Sequence, residues 1–336
     1  MFKKLLILSL LILATALKSY GQDPQFSQFY AAPLYLNPGF TGTTLEHRFI
    51  INHRLQWPAL PQAFATYAFS YDYNMRKLNS GIGILATTDR AGSADLRSTN
   101  IGLSYNYKIR MENGWIISPG IQFGYGIRSL NFSKLLFGDQ LDFGNPDAPT
   151  LDPTFNNLEN NKYFDFSSGV VVYNKDFWFG VSAHHMNEPN HSLIGEVSEL
   201  PMKFSIHSGF RITLFPSPLK GERLSSIAPS FIYKRQGEFD QLDLGLHFHY
   251  NPIMAGVWYR GIPIQQNVED NINQDAITVL FGLRFDKFDV GYSYDITISG
   301  LGPNTGGAHE ISMTYQFHNF KKRKKKPMKF VPCPAY

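Results

Sequence analysis

From Leu242 to Tyr250 every second residue is apolar or aromatic: Leu242, Leu244, Leu246, Phe248 and Tyr250. Between them stand Asp243, Gly245, His247 and His249. A side-chain period of two is that of a strand with one apolar and one polar face. The alternation recurs from Phe49 to Phe317 and predicts about fourteen strands. They are expected at 46–57, 63–73, 81–88, 100–110, 115–125, 163–173, 177–186, 203–214, 224–234, 242–250, 253–259 (a short one), 277–285, 290–298 and 311–318. Pro119 and Pro229 fall inside two of them. Proline removes a ladder hydrogen bond, so each is expected to mark a bulge.

An even number of such strands suits an all-β, transmembrane antiparallel β-barrel. Lipid cannot satisfy an open sheet edge, so the last strand must close on the first. Tyr105, Tyr107, Tyr125, Tyr233 and Tyr259 near strand ends fit an interfacial girdle. The turns give the barrel a direction. Those after strands four, six, ten and twelve are tight, around Asn113-Gly114, Asn174-Lys175-Asp176, Asn251-Pro252 and Asp286-Lys287. Those after odd strands are expected to be long: Arg90–Thr99, Ser129–Lys162, Asn187–Met202, Arg260–Gln274 and Gly300–His309. Short turns mark a periplasmic rim, which puts both termini in the periplasm.

The start of the chain supports export. Lys3 and Lys4 precede an uncharged run from Leu5 to Leu17, and Ser19 and Gly21 supply small residues before a cut at Gln22. This is the layout of a signal peptide, and the run is too short for a spanning helix. The expected organisation is a signal peptide (1–21), an N-terminal lumen or docking segment (22–44), an outer-membrane barrel (45–320) and a basic periplasmic tail (321–336).

Composition agrees with a barrel: 43% hydrophobic, with 28 Phe, 18 Tyr and 28 Gly. The charge of +4 is misleading, because ten of the 31 basic residues sit at the two ends while all 27 acids lie between them. The body is therefore acidic, and nucleic acid is not an expected partner. The single cysteine, Cys333, rules out an internal disulfide and a multi-cysteine zinc site.

Three chemical motifs lead nowhere. His184 and His185 are neighbours on a strand, so they are expected to face opposite ways and not to share a metal. Asp243, His247 and His249 share a lumen face, with Asp295 a further candidate for it from elsewhere, but no serine, Ser293 included, is singled out as a nucleophile. Gly300–Gly307 lacks the lysine of a phosphate loop. No catalytic residue, metal or cofactor is expected, and the protein is not read as an enzyme.

The most specific residues lie ahead of the strands. Asp23-Pro24-Gln25-Phe26-Ser27-Gln28-Phe29 is followed by Asn37-Pro38-Gly39 and then by Arg54-Leu55-Gln56-Trp57. This block, with Pro332-Cys333-Pro334 after a basic stretch, resembles the PorP/SprF family of Bacteroidota outer-membrane proteins. Gly39 stands where that family usually has alanine, which is expected to leave the turn less fixed, and His53 precedes Arg54. The resemblance implies a component of type IX secretion and, in gliding members, of adhesin attachment. It implies contact with periplasmic ring and lipoprotein components and with a secreted adhesin client, and no catalysis. The alternative is a porin or transporter for small or hydrophobic solutes.

Apart from the resemblance, Asn37-Pro38-Gly39 is a turn signal. Phe26, Phe29, Tyr30, Tyr35 and Phe40 must be buried in the lumen or at its mouth. Asp23, Pro24, Gln25, Phe26, Ser27, Asn37, Pro38, Gly39, Arg54 and Trp57 are therefore the candidate plug or partner-binding residues. Lys321, Lys322, Arg323, Lys324, Lys325 and Lys326 form either a solvated tail or a contact for an acidic partner or lipid phosphates.

Overall fold

The computed structural model describes residues 22–60, 63–142, 150–152, 159–195, 197–215, 225–266, 272–285, 287–300 and 302–317. The expected signal peptide, the cationic run Lys321–Lys326 and Cys333 lie outside the described residues.

Fourteen strands form one sheet. They are β1 (His47–Gln56), β2 (Phe64–Met75), β3 (Ser80–Ala91), β4 (Leu96–Tyr107, resumed as Ile109–Arg110), β5 (Ile116–Ser129), β6 (Asn161–Tyr173) and β7 (Phe177–His184). They continue as β8 (Lys203–Phe210, resumed as Ile212–Phe215), β9 (Ser225–Gln236), β10 (Phe239–Tyr250), β11 (Ile253–Gln266), β12 (Ile272–Phe285), β13 (Phe288–Thr297) and β14 (Ala308–Phe317). Each pairs antiparallel with its sequence neighbours. β14 pairs β1 from His47↔Phe317 to Gln56↔Ala308, so the sheet closes on itself.

The alternation of the sequence becomes an inside-out protein. Outward positions are apolar and exposed: Leu103 at 63%, Phe123 at 60% and Val257 at 55%. Inward positions such as Asn52, Asp243, Ser293 and Ser312 are buried and polar. An apolar outer band with satisfied backbone inside is what a lipid bilayer demands. The lumen is not polar throughout, however. Tyr173, Trp178, Ile232, Trp258 and Leu280 form an internal apolar cluster, which the chain ahead of β1 covers.

Several sequence expectations are corrected. β11 is not short: it runs 14 residues and forms a hairpin with β12, so 260–274 is mostly strand. The connection from β3 to β4 is only residues 92–95, because Arg90↔Arg97 and Ala91↔Leu96 still pair. The prolines make no bulge. Pro119↔Val170 and Pro229↔Leu246 are in unbroken register. The interruption falls in the facing strand, at Lys108 and at Arg211, whose N–H groups continue the ladder on the side away from the proline, to Asn79 O and Asp176 O.

Candidate functional site: the filled lumen

Residues 22–44 run inside the barrel. They fold as a 3₁₀ turn (Phe29–Ala31), a one-turn helix α1 (Pro33–Leu36) and a second 3₁₀ turn (Pro38–Phe40). Proline opens α1 and the second turn, where its missing N–H costs nothing. Phe26, Phe29, Tyr30, Leu34 and Phe40 are all buried. Phe29 meets Trp258 edge-on at 4.8 Å between ring centroids, and Tyr30 meets His247 at 4.6 Å. Burying such side chains contributes about 1.5–3 kcal/mol each.

The segment crosses the lumen antiparallel to β1. Its first residues lie where β7 and β9 end and β8 begins, at the rim that carries the longer loops. Asp23 there contacts His185 (2.8 Å), Lys203 (2.5 Å) and Gln236 (3.0 and 3.3 Å). Its last residues lie at the opposite rim, where the Gly42 N–H donates to Asp72 Oδ2 (2.7 Å) and Arg48 holds the same carboxylate at 2.8 and 3.1 Å. The expectation that both ends share one rim is corrected, because the segment crosses the lumen: Phe317 leaves by the short-turn rim, while Gln22–Gln25 face the long-loop rim.

The middle of the segment is bound by a buried charge network centred on Ser27. The Ser27 hydroxyl donates to Asp295 Oδ2 (2.7 Å) and accepts from Arg54 Nη1 (2.7 Å) and Arg260 Nη2 (2.8 Å). One donor and two acceptor sites are all that a hydroxyl has. The backbone N–H groups of Ser27 and Gln28 donate to the two oxygens of Glu310 at 2.7 and 3.0 Å. Arg54 pairs with Asp295 (2.8 Å) and Glu310 (3.4 Å), and Arg260 joins Asp295 (3.1 Å) to Asp243 (3.0 Å). Gln28 reaches Ser293, and Ser312 donates to it at 2.6 Å.

Asn37 organises the other half. Its Oδ1 accepts the Gly39 N–H at 2.7 Å, and its Nδ2 reaches Val170 O, Val181 O and His207. Asn106 and Ser118 donate to Gly39 O at 3.0 and 2.9 Å. Gly39 does not loosen this turn. A Cβ there would lie 2.7 Å from Ser118 O, so glycine lets the segment press against β5.

The candidate residues thus fall into groups. Asp23 and Ser27 meet charged side chains of the wall, among them Arg54 on β1. Pro24 O accepts from the Tyr35 hydroxyl, Gln25 lies 3.5 Å from Lys234 Nζ, and Phe26 packs edge-on against Tyr35. Asn37, Pro38 and Gly39 occupy the far end. Trp57 joins none of these: it caps β1 at φ 57, donates to Gly307 O and packs on Phe64.

His185 is corrected. It does not face away from His184, because it lies beyond β7 at φ 57, and that left-handed turn swings its ring back to the lumen. Its Nε2 meets Asp23 and its Nδ1 lies 3.0 Å from Asp165. His184 instead meets Leu36 O at 3.2 Å. Burial alone would raise the Asp23 carboxyl, but His185 and Lys203 hold it well below the ordinary carboxylate range. Burial alone would lower the His185 imidazolium, but Asp23 and Asp165 raise it to about 9.

Asp72, Arg260, Glu310 and Lys203 were not singled out from sequence. Their signal was parity, a charged residue on the inward side of an otherwise apolar alternation. Above the segment, toward the long loops, lies a vestibule of about 650 Å³ lined by Asp89, Arg128, Tyr163 and Asp165 among others.

A closed barrel with an apolar belt, filled by its own N-terminal segment, defines an integral outer-membrane protein. The sequence matches the family described as type IX secretion system membrane protein PorP/SprF over residues 18–315, and the chain belongs to that family. It is a membrane component of type IX secretion. No curated protein matches the sequence. Among solved structures it is similar to Acinetobacter baumannii Omp33 (7% identity, TM-score 0.41, covering 81% of this chain and 99% of that one). It is also similar to a deletion mutant of the monoaromatic hydrocarbon channel TodX (11%, 0.45, 86% and 94%) and to the monoaromatic hydrocarbon channel CymD (12%, 0.41, 86% and 93%).

Proposed function

We propose that this protein serves type IX secretion as a closed docking barrel for the export or surface attachment of a large adhesin. In this reading it also contacts the periplasmic ring and its lipoprotein components, and it neither conducts solutes nor catalyses a reaction. The observation that carries the reading is the filled lumen: residues 23–42 are held to the walls on all sides by buried hydrogen bonds and ion pairs. A client then meets the loops or rims, not a channel. The short-turn rim faces the periplasm, which sets the basic tail beside the ring components and the vestibule toward the cell surface.

Planar-bilayer recording of the purified protein tests this. The mature chain is expected to stay closed, and deletion of Asp23–Gly42 to leave a heat-modifiable barrel that conducts and no longer supports secretion. Crosslinking in cells should trap a secreted adhesin or a periplasmic ring component. A steady open pore in the intact chain would return the porin reading, and normal secretion from the deletion would end the docking reading.

A further inference from the structure

The barrel wall parts between two hairpins at the long-loop rim. β9 and β10 stay paired to Gln236↔Phe239, and β11 and β12 to Gln266↔Ile272. The ladder between β10 and β11, however, stops at Asp243↔Arg260. Four residues of β10 and six of β11 continue beyond it without pairing to one another. The cause is local. The register of β11 on β12 shifts at Arg260/Gly261, where Gly261 has φ 146, and Pro263 follows with no N–H to offer. β11 therefore follows β12 away from β10.

A cavity of about 260 Å³ lies behind this notch. Its inner wall is the lumen segment (Phe26, Phe29, Tyr35) and its outer wall includes Lys234 and Phe239. It touches both Gln241, which faces the lumen, and Asp240, whose carboxylate turns outward to the Tyr233 hydroxyl at 2.8 Å. The cavity reaches both faces of β10 at the hairpin tip, beside the strand's free edge, and it shares Asp23, Tyr35 and Gln241 with the vestibule. Just below the notch the outer surface is lipid-facing, with Leu244 at 44% and Val257 at 55% exposure. Unpaired backbone is excluded from hydrocarbon, so the notch sits at the polar edge of the bilayer.

We propose that this cavity takes the apolar tail of a single-chain amphiphile that enters from the lipid interface between the β9–β10 and β11–β12 hairpins. Aromatic rings line the space for the tail. At 260 Å³ it falls just under the roughly 300–1,000 Å³ of drug-sized sites, which suits one chain and not a whole glycolipid. Lys234 supplies a cation for a carboxylate or phosphate head. Its two acceptors, Gln25 at 3.5 Å and Asp243 at 3.3 Å, hold it loosely. The site is independent of the docking reading.

Photocrosslinking of the mature protein in lipid nanodiscs decides the matter. Two probes with a diazirine in the chain are used, a fatty acid and a lysophosphatidylethanolamine. Adducts on Phe26, Tyr35 or Phe239 support the site, and the stronger probe identifies the head group. Adducts confined to the outer belt, at residues such as Leu244 and Val257, overturn it. Lys234→Met is expected to lower fatty-acid labelling of the lining about tenfold, the equivalent of one charge-assisted hydrogen bond. Unchanged labelling would remove Lys234 from the site. Phe239→Ala, at an exposed position, should keep the fold and still label at Tyr35. Loss of lining adducts in that variant would refute entry by the notch.

Discussion

Ser27 shows how much one small side chain can hold. Its hydroxyl joins Arg54, Arg260 and Asp295, residues far apart in the chain. Ser27→Ala should leave the ion pairs in place and loosen the segment by about 1–3 kcal/mol, the cost of unmet buried polar groups. Arg54→Ala should cost more, roughly 3–5 kcal/mol, because it strands Asp295 and Glu310. Protease sensitivity of residues 22–44 in detergent would rank the two variants. Asp23 and His185 add a pH dependence of definite sign. Asp23 on the segment and Asp165 on the wall together raise His185 from 6.5 to about 9. Its contribution is full below pH 6.5 and is lost as pH climbs through about 9. Asp23, lowered from 3.8, contributes above that value and fails in acid. A spin label at Gln22→Cys, in a Cys333→Ser background, should be immobile near pH 6 and free itself above about 9, more readily when Lys203→Met removes the second cation.

The elements were largely legible because a period of two needs no partner to be seen. All fourteen strands lie where the alternation put them, with most ends shifted by a few residues and β11 and β12 extended well beyond their expected bounds toward each other. What the alternation hid was geometry set by neighbours. Pro119 and Pro229 looked like defects in their own strands, yet the interruption falls in the facing strands, at Lys108 and Arg211. The left-handed turn at His185 depends on a chain reversal that no dipeptide announces. The site was half legible. The aromatics ahead of β1 had to be buried, but the Arg54–Glu310 pair spans 256 positions and exists only when the ring closes. Gly120 belongs to this scale. A Cβ on it would lie 2.4 Å from Pro38 backbone atoms. Gly120→Leu should therefore leave strand pairing intact and displace the second 3₁₀ turn, seen as new conductance with unchanged heat-modifiable migration.

At the scale of the whole molecule, core and surface have exchanged roles. Lipid covers the outer apolar side chains, and the buried interior gathers charge, hydroxyl and amide, with one apolar cluster, around the protein's own N-terminal segment. That segment adds cohesion to the ring as well as filling it. Its removal should lower the temperature of the heat-induced mobility shift, by on the order of 2 °C for each kcal/mol lost in a chain of this size. Where its contacts fall has a further consequence. Gln28 binds Ser312 and Glu310 on β14, while Arg54, on β1, binds the Ser27 beside it. β1 and β14 are the first and last strands of the ring, and their pairing is the seam that completes it. The lumen segment therefore spans the weld. It finds its full set of partners only once the final strand has met the first, so an incompletely assembled barrel has no lock for this key.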